Sequence, residues 1–490
     1  MLNLEKATTT YDRSAWSGGY QSQKNEYSYL IDQITGAIPQ NLAGTLFRNI
    51  PAMLDINGVS VRHPFDGDGM ICSIAFQDGQ AYFRNRYVRT AGYVAEQKAQ
   101  KFLYRGVFGT AKAGGWLANI FDVKLKNIAN TQVIYWGGKL LALWEAAEPH
   151  RLNPENLETI GLDNLDGLLP PGGAFSAHPR IDPAGKMVNF GLKTGLSTTI
   201  TIYEFDRSGQ VEKQYDHVVP GFAFIHDFAI TPNYCIFFQN PVGFNPLPFL
   251  LGQKGAGECV KFNADQPTKI IVIPRNRTTG ESVKVLETKA GFVFHHANAY
   301  ETAQGLSIDS ICYASFPEVE PNKDFREIDF DRLDPGQLWR FQLNFAAGTV
   351  ERELIEPRCC EFPTVNPQQV GQDYRYLYMG VADALTGNAP LQGITKIDLL
   401  TPDRQTWTAA PSGFVTEPVF VAKPQPQSAD DGWLIALVYE GDRQATDVVI
   451  LNAIDLSEIA KLHLPHHLPY GLHGTWTEEI FMPAAQNVSK

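Results

Sequence analysis

The sequence predicts a large all-β protein, either an array of sandwiches or a propeller. Short β-branched and aromatic runs that end in glycine-containing turns recur along the chain, and long stretches of helical periodicity are missing. The 42 Gly and 31 Pro are spread over all 490 residues, as expected for many turns. At four strands a blade, a chain of this length would suit about seven blades. A propeller is only weakly favoured, because no tight sequence repeat is visible.

Five segments predict β-hairpins, each turning at a glycine. With their turns in parentheses they are 73–88 (78–79), 132–145 (137–138), 199–211 (208–209), 337–352 (near 348) and 433–451 (441–442). Helix formers at 93–102 predict one short helix, and 118–128 predicts at most a second.

Charge and cysteine content exclude several classes of protein. Lys plus Arg total 41 and Asp plus Glu 53, so the net charge of −12 disfavours nucleic acid as a partner. Six cysteines with no CxxC pair indicate a reducing compartment. We expect neither a signal peptide nor a spanning helix, because residues 1–16 lack the charged-then-apolar pattern and no stretch approaches about 18 apolar residues. A cytoplasmic protein without a protein partner is therefore predicted.

The segment 242–251, VGFNPLPFLL, is strongly apolar and lies between polar stretches. It is too short to span a bilayer. Two interpretations are open: a buried core loop, or an exposed patch that dips into a lipid surface or frames an apolar entrance.

Four of the eleven histidines have small, aromatic or apolar neighbours: His178, His226, the pair His295-His296, and His473. Their wide separation does not fit a zinc finger or an HExxH helix, which need local pairs. It fits ligands that separate strands deliver to one axis, and four imidazoles suit Fe(II), Cu(II), Ni(II) or Zn(II). The competing interpretation is that each is a hydrogen-bonded core histidine. On a strand, only one of His295 and His296 can face the axis.

Three glutamates, Glu145, Glu361 and Glu417, lie in apolar or proline-flanked contexts. Metal-bound imidazoles usually donate their second N–H to a carboxylate or a carbonyl. We therefore expect these glutamates to orient ligand histidines, the alternative being solvated carboxylates at strand ends.

Eight motifs together give the chain a family resemblance that runs from about residue 21 to 476. They are HPFDGDGM (63–70), LWEAAEPHRL (143–152), SAHPRIDP (176–183), PGFAFIHDFAIT (220–231), GFVFHHANAYE (291–301), RCCEFP (358–363), TEPVF (416–420) and LPYGLHGTW (468–476). These segments carry all four histidine positions in order. In these motifs the chain resembles the carotenoid cleavage oxygenases.

The resemblance implies one domain, 1–490: a seven-bladed β-propeller with a few short helices, long loops that cap one face, and Fe(II) on its axis. Residues 1–20 would form a loosely ordered arm. The implied iron ligands are His178, His226, His295 and His473, with Glu145, Glu361 and Glu417 as their partners. Phe65, Trp144, Phe224, Phe294 and Tyr313 would line a substrate tunnel, and the methyl group of Thr131 would crowd one open iron position. Phe244, Leu247, Phe249, Leu250 and Leu251 would form a membrane-dipping rim around its mouth.

The implied activity is O₂-dependent cleavage of a conjugated double bond, converting β-apocarotenals to retinal at the 15,15′ bond on a membrane surface. Four alternatives are open: cleavage of another bond or of a full-length carotenoid, isomerisation without cleavage, a zinc or calcium hydrolase, and a non-catalytic propeller. The hydrolase would need a carboxylate bound directly to the metal.

Overall fold

Seven antiparallel sheets of four or more strands form the blades of a propeller in the computed structural model, which describes residues 11–276, 280–318 and 323–483. We number the blades 1 to 7 around the ring and give blades 1 to 6 from the axis outward. The strands at the inner ends of neighbouring blades contact one another, as between blades 4 and 5, 5 and 6, and 7 and 1. The predicted seven-bladed propeller is confirmed.

Blades 1 to 3 carry the first part of the chain. Blade 1 consists of Gly474–Thr477, Gly44–Met53, Asp68–Gln77, Gln80–Tyr87 and Ser28–Leu30. Blade 2 consists of Gln132–Trp136, Lys139–Leu143, His150–Leu152 and Thr159–Leu162. Blade 3 consists of Arg180–Ile181, Met187–Lys193, Ser197–Phe205 and Val211–Pro220.

Blades 4 to 7 complete the ring. Blade 4 consists of Ala229–Ile230, Tyr234–Gln239, Thr268–Pro274 and Lys284–Thr288, and blade 5 of Phe292–Thr302, Gly305–Tyr313, Gln337–Asn344 and Thr349–Glu356. Blade 6 consists of Cys360–Thr364, Tyr376–Ala382, Leu391–Asp398 and Arg404–Thr408. In blade 7, Gly413–Val415 and Val419–Ala422 both pair with Gly432–Glu440, and Ala445–Asn452, Glu458–His463 and Ile34–Gly36 follow outward.

The remaining elements are short. Two small ribbons pair Val242–Phe244 with Val260–Phe262 and Asp55–Ile56 with Val59–Ser60. The α-helices among the described residues are Arg13–Gly18, Ala91–Ala99, Trp116–Asn119 and Pro246–Leu250. Single 3₁₀ turns occur at Pro64–Asp66, Gly257–Cys259, Phe325–Glu327, Phe330–Arg332 and Pro367–Gln369. None of the described helices is long and apolar enough to cross a membrane.

Position within a blade explains the composition of the strands. Gly432–Glu440, in the middle of blade 7, is buried along almost its whole length because neighbouring blades cover both of its faces. Val211–Pro220, at the outer edge of blade 3, is mostly exposed and carries polar residues at most positions. The core is therefore a ring of apolar contacts between blades.

All five predicted hairpins are present. At the turn of the first, Asp78 and Gly79 both have positive φ, 50° and 71°, as a two-residue type I′ turn requires. The predicted helix at 93–102 is found at Ala91–Ala99. The expectation of a helix at 118–128 is wrong, since only Trp116–Asn119 is helical and Phe121 has a left-handed φ of 56°, which an α-helix cannot continue through.

The predicted loose N-terminal arm is wrong for residues 11–20. Arg13–Gly18 forms a helix capped by Asp12, and Trp16 is buried against Phe414 and Tyr439. Burial of this indole provides the apolar contact that orders the segment. Residues 1–10 lie outside the described range.

Both ends of the chain close the ring at the same junction. Ile34–Gly36 pairs with Glu458–His463 of blade 7, while Gly474–Thr477 pairs with Gly44–Met53 of blade 1. Because the second pairing begins at Gly474, it fixes the position of His473 on the axis.

Candidate metal centre

The four predicted ligand histidines lie on the axis, each at or just before the inner strand of a different blade. His178 precedes Arg180–Ile181, His226 precedes Ala229–Ile230, and His473 directly precedes Gly474–Thr477. His295 lies within Phe292–Thr302. Four remote parts of the sequence therefore meet at one point.

The imidazoles converge closely. One nitrogen of each ring lies within 4.8 Å of the others, and the Nε2 atom of His226 is 2.9 Å from Nε2 of His178 and 3.2 Å from Nε2 of His295. Burial, aided by the neighbouring imidazoles, lowers the pKa of His178 far below its ordinary value. Neutral imidazole nitrogens that face one another this closely are the donor set of a divalent transition-metal ion.

A bulge in the inner strand of blade 5 separates the roles of His295 and His296. The pairing register shifts between Val293 and His296, which turns His295 toward the axis. His296 points into the sheet, where its Nδ1 atom lies 2.7 Å from the Ser310 hydroxyl and its ring packs on Phe238. Geometry therefore places His295, not His296, in the cluster.

The three predicted glutamates contact the far side of three of these rings. The Nδ1 atom of His295 lies 2.6 Å from Glu361, that of His473 lies 2.8 Å from Glu417, and Nδ1 of His226 is in close contact with Glu145. The Nε2 atoms are thereby left free to face the axis. Among the described residues no carboxylate belongs to the converging group, which disfavours the hydrolase alternative.

Glu417 has a partner that the sequence did not reveal. Its carboxylate accepts hydrogen bonds from Arg48 (Nη1, 2.6 Å) and from the backbone N–H of Gly474 (3.0 Å). Burial opposes its ionisation, but His473 and Arg48 outweigh burial and lower the pKa of Glu417 to about 2. Arg48 is itself almost fully buried in the middle of an apolar strand, a context that contains no functional motif.

Glu361 is held by neutral donors. The Tyr313 hydroxyl donates to its Oε1 atom (2.9 Å) and the backbone N–H of Phe362 to its Oε2 atom (2.7 Å). Despite burial, His295 lowers the pKa of Glu361. Phe362 has a left-handed φ of 57° at a register shift, and its ring centroid lies 5.8 Å from His295 and 5.5 Å from His473. This contact was missed, although Phe362 lies within the RCCEFP motif.

An aromatic cluster extends from the histidines toward helix Pro246–Leu250. Near the axis, Phe294 lies 5.5 Å from His226 and 5.7 Å from Tyr313, measured between ring centroids. At the other end, Phe222 stacks on Phe244, two residues before the helix. The cluster consists of Phe222, Phe224, Phe244, Phe262, Phe292, Phe294, Tyr313 and Phe316.

The other predicted tunnel residues differ in position. The carbonyl of Thr131 accepts a hydrogen bond from the backbone N–H of His473 (3.2 Å), so Thr131 lies next to the cluster. Trp144 is half-buried and directly precedes Glu145. Phe65 packs on Phe108 and His63, and no ring contact joins it to the four histidines among the described residues.

The predicted rim is only partly exposed. Leu247 is 58% exposed, but Phe249 is 8% exposed, lies under the Arg105 guanidinium and packs inward; Phe244, Leu250 and Leu251 are half-buried. The exposed apolar side chains beside this helix are Leu117, in the short helix Trp116–Asn119, and Phe121, in the segment 118–128 for which the sequence predicts at most a short helix. The Phe121 N–H donates to the carbonyl of Leu250 (2.7 Å), joining the two segments. We call Leu117, Phe121 and Leu247 the apolar rim.

Four imidazoles on the axis of a propeller, three of them hydrogen-bonded to glutamates, are typical of a class of metal-dependent oxygenases. Comparisons with known proteins place the chain in that class. Residues 20–478 match the family described as retinal pigment epithelial membrane protein (RPE65), and the chain belongs to this family of carotenoid oxygenases. It is 53% identical over 479 residues to the apocarotenoid-15,15′-oxygenase of Synechocystis sp., covering 96% of this chain and 97% of that protein. The crystal structure of cobalt-substituted Synechocystis apocarotenoid oxygenase superposes with a TM-score of 0.94, at 53% identity over 96% of this chain and all of that one.

A more distant relative is named for a different substrate. The resveratrol cleavage oxygenase 1 of Aspergillus fumigatus is 31% identical over 503 residues, covering 97% of both chains. These comparisons confirm the predicted family and the predicted oxygenase class.

Proposed function

We propose that this chain is a non-haem Fe(II) dioxygenase that cleaves the 15,15′ double bond of β-apocarotenals with O₂, releasing retinal. The observation that carries the proposal is the convergence of four imidazoles, with ligating nitrogens within 4.8 Å of one another, in a chain 53% identical to an apocarotenoid-15,15′-oxygenase.

The donor set fits a redox-active divalent ion. His178, His226, His295 and His473 would hold it through four neutral nitrogens, and the carboxylates lie behind the rings. When bound, Fe(II) would supply the electrons that let O₂ react with a conjugated double bond. Iron is favoured over zinc because zinc has no redox chemistry.

The chain's own residues orient the ligands and exclude water. The Nδ1–H groups of His226, His295 and His473 donate hydrogen bonds to Glu145, Glu361 and Glu417, respectively. These bonds fix the tautomer in which Nε2 is unprotonated. Thr131, beside His473, would narrow one side of the open coordination space. Since oxidative cleavage of a polyene needs no protein nucleophile, no general acid or base is assigned.

Aromatic side chains would select the polyene by shape. An apocarotenal offers few hydrogen-bonding groups, so recognition falls to apolar walls. Phe224, Phe294 and Tyr313 belong to the aromatic cluster that ends near the histidines, and Trp144 and Phe362 lie beside the glutamates. Phe65, farther away, would line an outer part of the path.

The apolar rim would bring the enzyme to its substrate. Leu117, Phe121 and Leu247 project from neighbouring segments at the end of the aromatic cluster remote from the histidines. We infer that they enter the surface of a membrane in which a hydrophobic apocarotenal is dissolved, making this a peripheral membrane protein of the cytoplasm.

Incubation of the Fe(II)-loaded protein with β-apocarotenals of several chain lengths, under O₂ and under argon, tests the proposal. Chromatography should show retinal and a shorter aldehyde only under O₂, with the same retinal product from every accepted length. Resveratrol should be left intact in a parallel reaction. Retinal of altered geometry without cleavage would indicate an isomerase, and aldehydes from another bond would contradict the 15,15′ assignment.

A further inference from the structure

One guanidinium connects the three histidine-bearing segments of blades 3, 4 and 5. Arg180 lies two residues after His178. Its Nε atom donates to the carbonyl of Phe228 (2.8 Å) and its Nη2 atom to the carbonyl of His296 (2.8 Å). These carbonyls follow His226 by two residues and His295 by one. Arg180 thus joins backbone segments that lie within two residues of three of the histidines and belong to three separate blades.

Asp227 completes this connection. Its carboxylate accepts hydrogen bonds from Arg180 Nη2 (2.5 Å) and from the backbone N–H groups of His296 (2.8 Å) and Phe228 (2.7 Å). The side chain of Asp227 is 1% exposed and that of Arg180 21%. A buried carboxylate with several donors and a guanidinium partner is held in one orientation. We call the two residues the Arg180–Asp227 clasp.

In a propeller, side-chain bonds between blades can set the distances between residues that lie in different blades. Strands are hydrogen-bonded within each blade, but blades 3, 4 and 5 are separate sheets with no ladder between them. Backbone pairing therefore leaves the distances between His178, His226 and His295 unset. Directional side-chain bonds across the blade boundaries can set them, and the Arg180–Asp227 clasp makes such bonds next to all three histidines.

The fourth histidine is held by a different arginine. Arg48 donates to Glu417 and to the carbonyl of Leu472, the residue before His473 (2.7 Å). We propose that Arg180 and Asp227 are positioning residues that set the spacing of His178, His226 and His295, and thereby the affinity and geometry of the metal site. This inference rests on the proposed metal-binding function.

A matched pair elsewhere separates positioning from general stability. Arg275 and Glu204 join the same blades 3 and 4 through two hydrogen bonds (2.9 and 3.3 Å), and both are buried. Arg275 also donates to the carbonyl of Thr231 (3.0 Å). Glu204 lies in the third strand of blade 3 and Arg275 directly follows the third strand of blade 4. The pair makes no contact with the histidine cluster among the described residues.

The test uses Co(II), because a crystal structure of the Synechocystis relative was obtained with cobalt substituted into it. Arg180→Lys and Asp227→Asn are compared with Arg275→Lys and Glu204→Gln for Co(II) affinity, for the visible absorption bands of the Co(II) protein, and for the melting temperature without metal. The clasp variants should lose up to roughly 10–100-fold in affinity, the range seen when residues that orient metal ligands are changed, and should shift the cobalt bands. The control variants should lower the melting temperature while keeping wild-type affinity and bands.

Wild-type affinity and bands in both clasp variants would overturn the inference, and so would an equal loss of affinity in the controls. If Arg180→Lys does not fold, the isosteric Asp227→Asn variant decides alone. A wild-type protein that fails to bind Co(II) or Fe(II) would reject the proposed function itself, an outcome distinct from failure of the clasp.

Discussion

Two arms of the metal centre, His473–Glu417 and His226–Glu145, make the same imidazole–carboxylate contact in contrasting surroundings. Glu417 has a 15% exposed side chain and three donors: His473, Arg48 and the Gly474 N–H. Glu145 is 33% exposed, and His226 is the partner that the described residues give it. Glu417 is therefore buried and held by several donors, whereas Glu145 is partly exposed and held by one imidazole.

Chain topology explains the contrast. The His473–Glu417 arm lies where both ends of the chain close the ring, and Arg48 reaches it from the strand that pairs with Gly474–Thr477. Glu145 follows the strand Lys139–Leu143 in a turn that faces the axis. Stability and metal binding should therefore be coupled in the first arm and separable in the second.

Removal of an imidazole should abolish metal binding equally in both arms. His226→Ala and His473→Ala should both lose bound Fe(II) and turnover to the limit of detection, because each ligand nitrogen belongs to the same converging set. Metal analysis of the purified variants measures this. His296→Ala, next to a ligand but outside the cluster, should be less stable yet retain its metal. Near-normal iron in His226→Ala would contradict its assignment as a ligand.

Neutralising the carboxylates should affect the two arms unequally, in stability as well as in metal binding and activity. Glu417→Gln removes the partner of a buried guanidinium, so we expect a loss of about 3 kcal/mol in the free energy of unfolding, together with a roughly 10–100-fold loss of metal affinity. Glu145→Gln should cost less than about 1 kcal/mol, as expected for a partly exposed pair, and reduce activity about tenfold. Urea denaturation of the metal-free proteins gives the two stabilities. Equal losses would show that burial does not distinguish the arms.

In the third arm, His295–Glu361, neutral donors hold the carboxylate in place of a guanidinium. Tyr313→Phe removes one neutral hydrogen bond to Glu361, worth about 1 kcal/mol, and leaves the carboxylate in place. Activity should fall by about fivefold, which is less than in Glu361→Gln, where we expect a loss of roughly 10–100-fold. The comparison is made at saturating Fe(II), so that lost metal does not mimic lost turnover. An effect of Tyr313→Phe as large as that of Glu361→Gln would mean that the Tyr313 hydroxyl does more than hold Glu361, and would contradict its role as a hydrogen-bond donor alone.

The arms also show what could be predicted from the sequence. Hairpins such as 73–88 and 132–145 could be located because their period and their turn glycines are local signals. The histidines and glutamates could be named because they lie within long motifs that resemble a family. Arg48, Arg180 and Asp227 acquire their meaning only from contacts between blades, and no local pattern encodes which blades become neighbours.

The same limit explains the errors at the rim. An apolar run such as 242–251 does not state which of its side chains face outward, because Phe249 and Leu247 are equally apolar and only packing under Arg105 separates them. Phe121 has a left-handed φ and lies in the segment 118–128 for which the sequence predicts at most a short helix, and no amphipathic pattern indicates that its side chain is exposed.

The smallest effect should come from the rim, where exposed and buried apolar side chains repeat the contrast between the arms. Leu247→Glu changes an exposed residue, so stability and turnover in detergent should stay within about twofold of wild type, while cleavage of β-apocarotenal held in vesicles should fall severalfold. Phe249→Glu, in contrast, buries a carboxylate and should lower the free energy of unfolding by about 3 kcal/mol or more in any medium. Equal activity of Leu247→Glu in vesicles and in detergent would remove the support for membrane entry, because a side chain that meets lipid cannot accept a charge without cost.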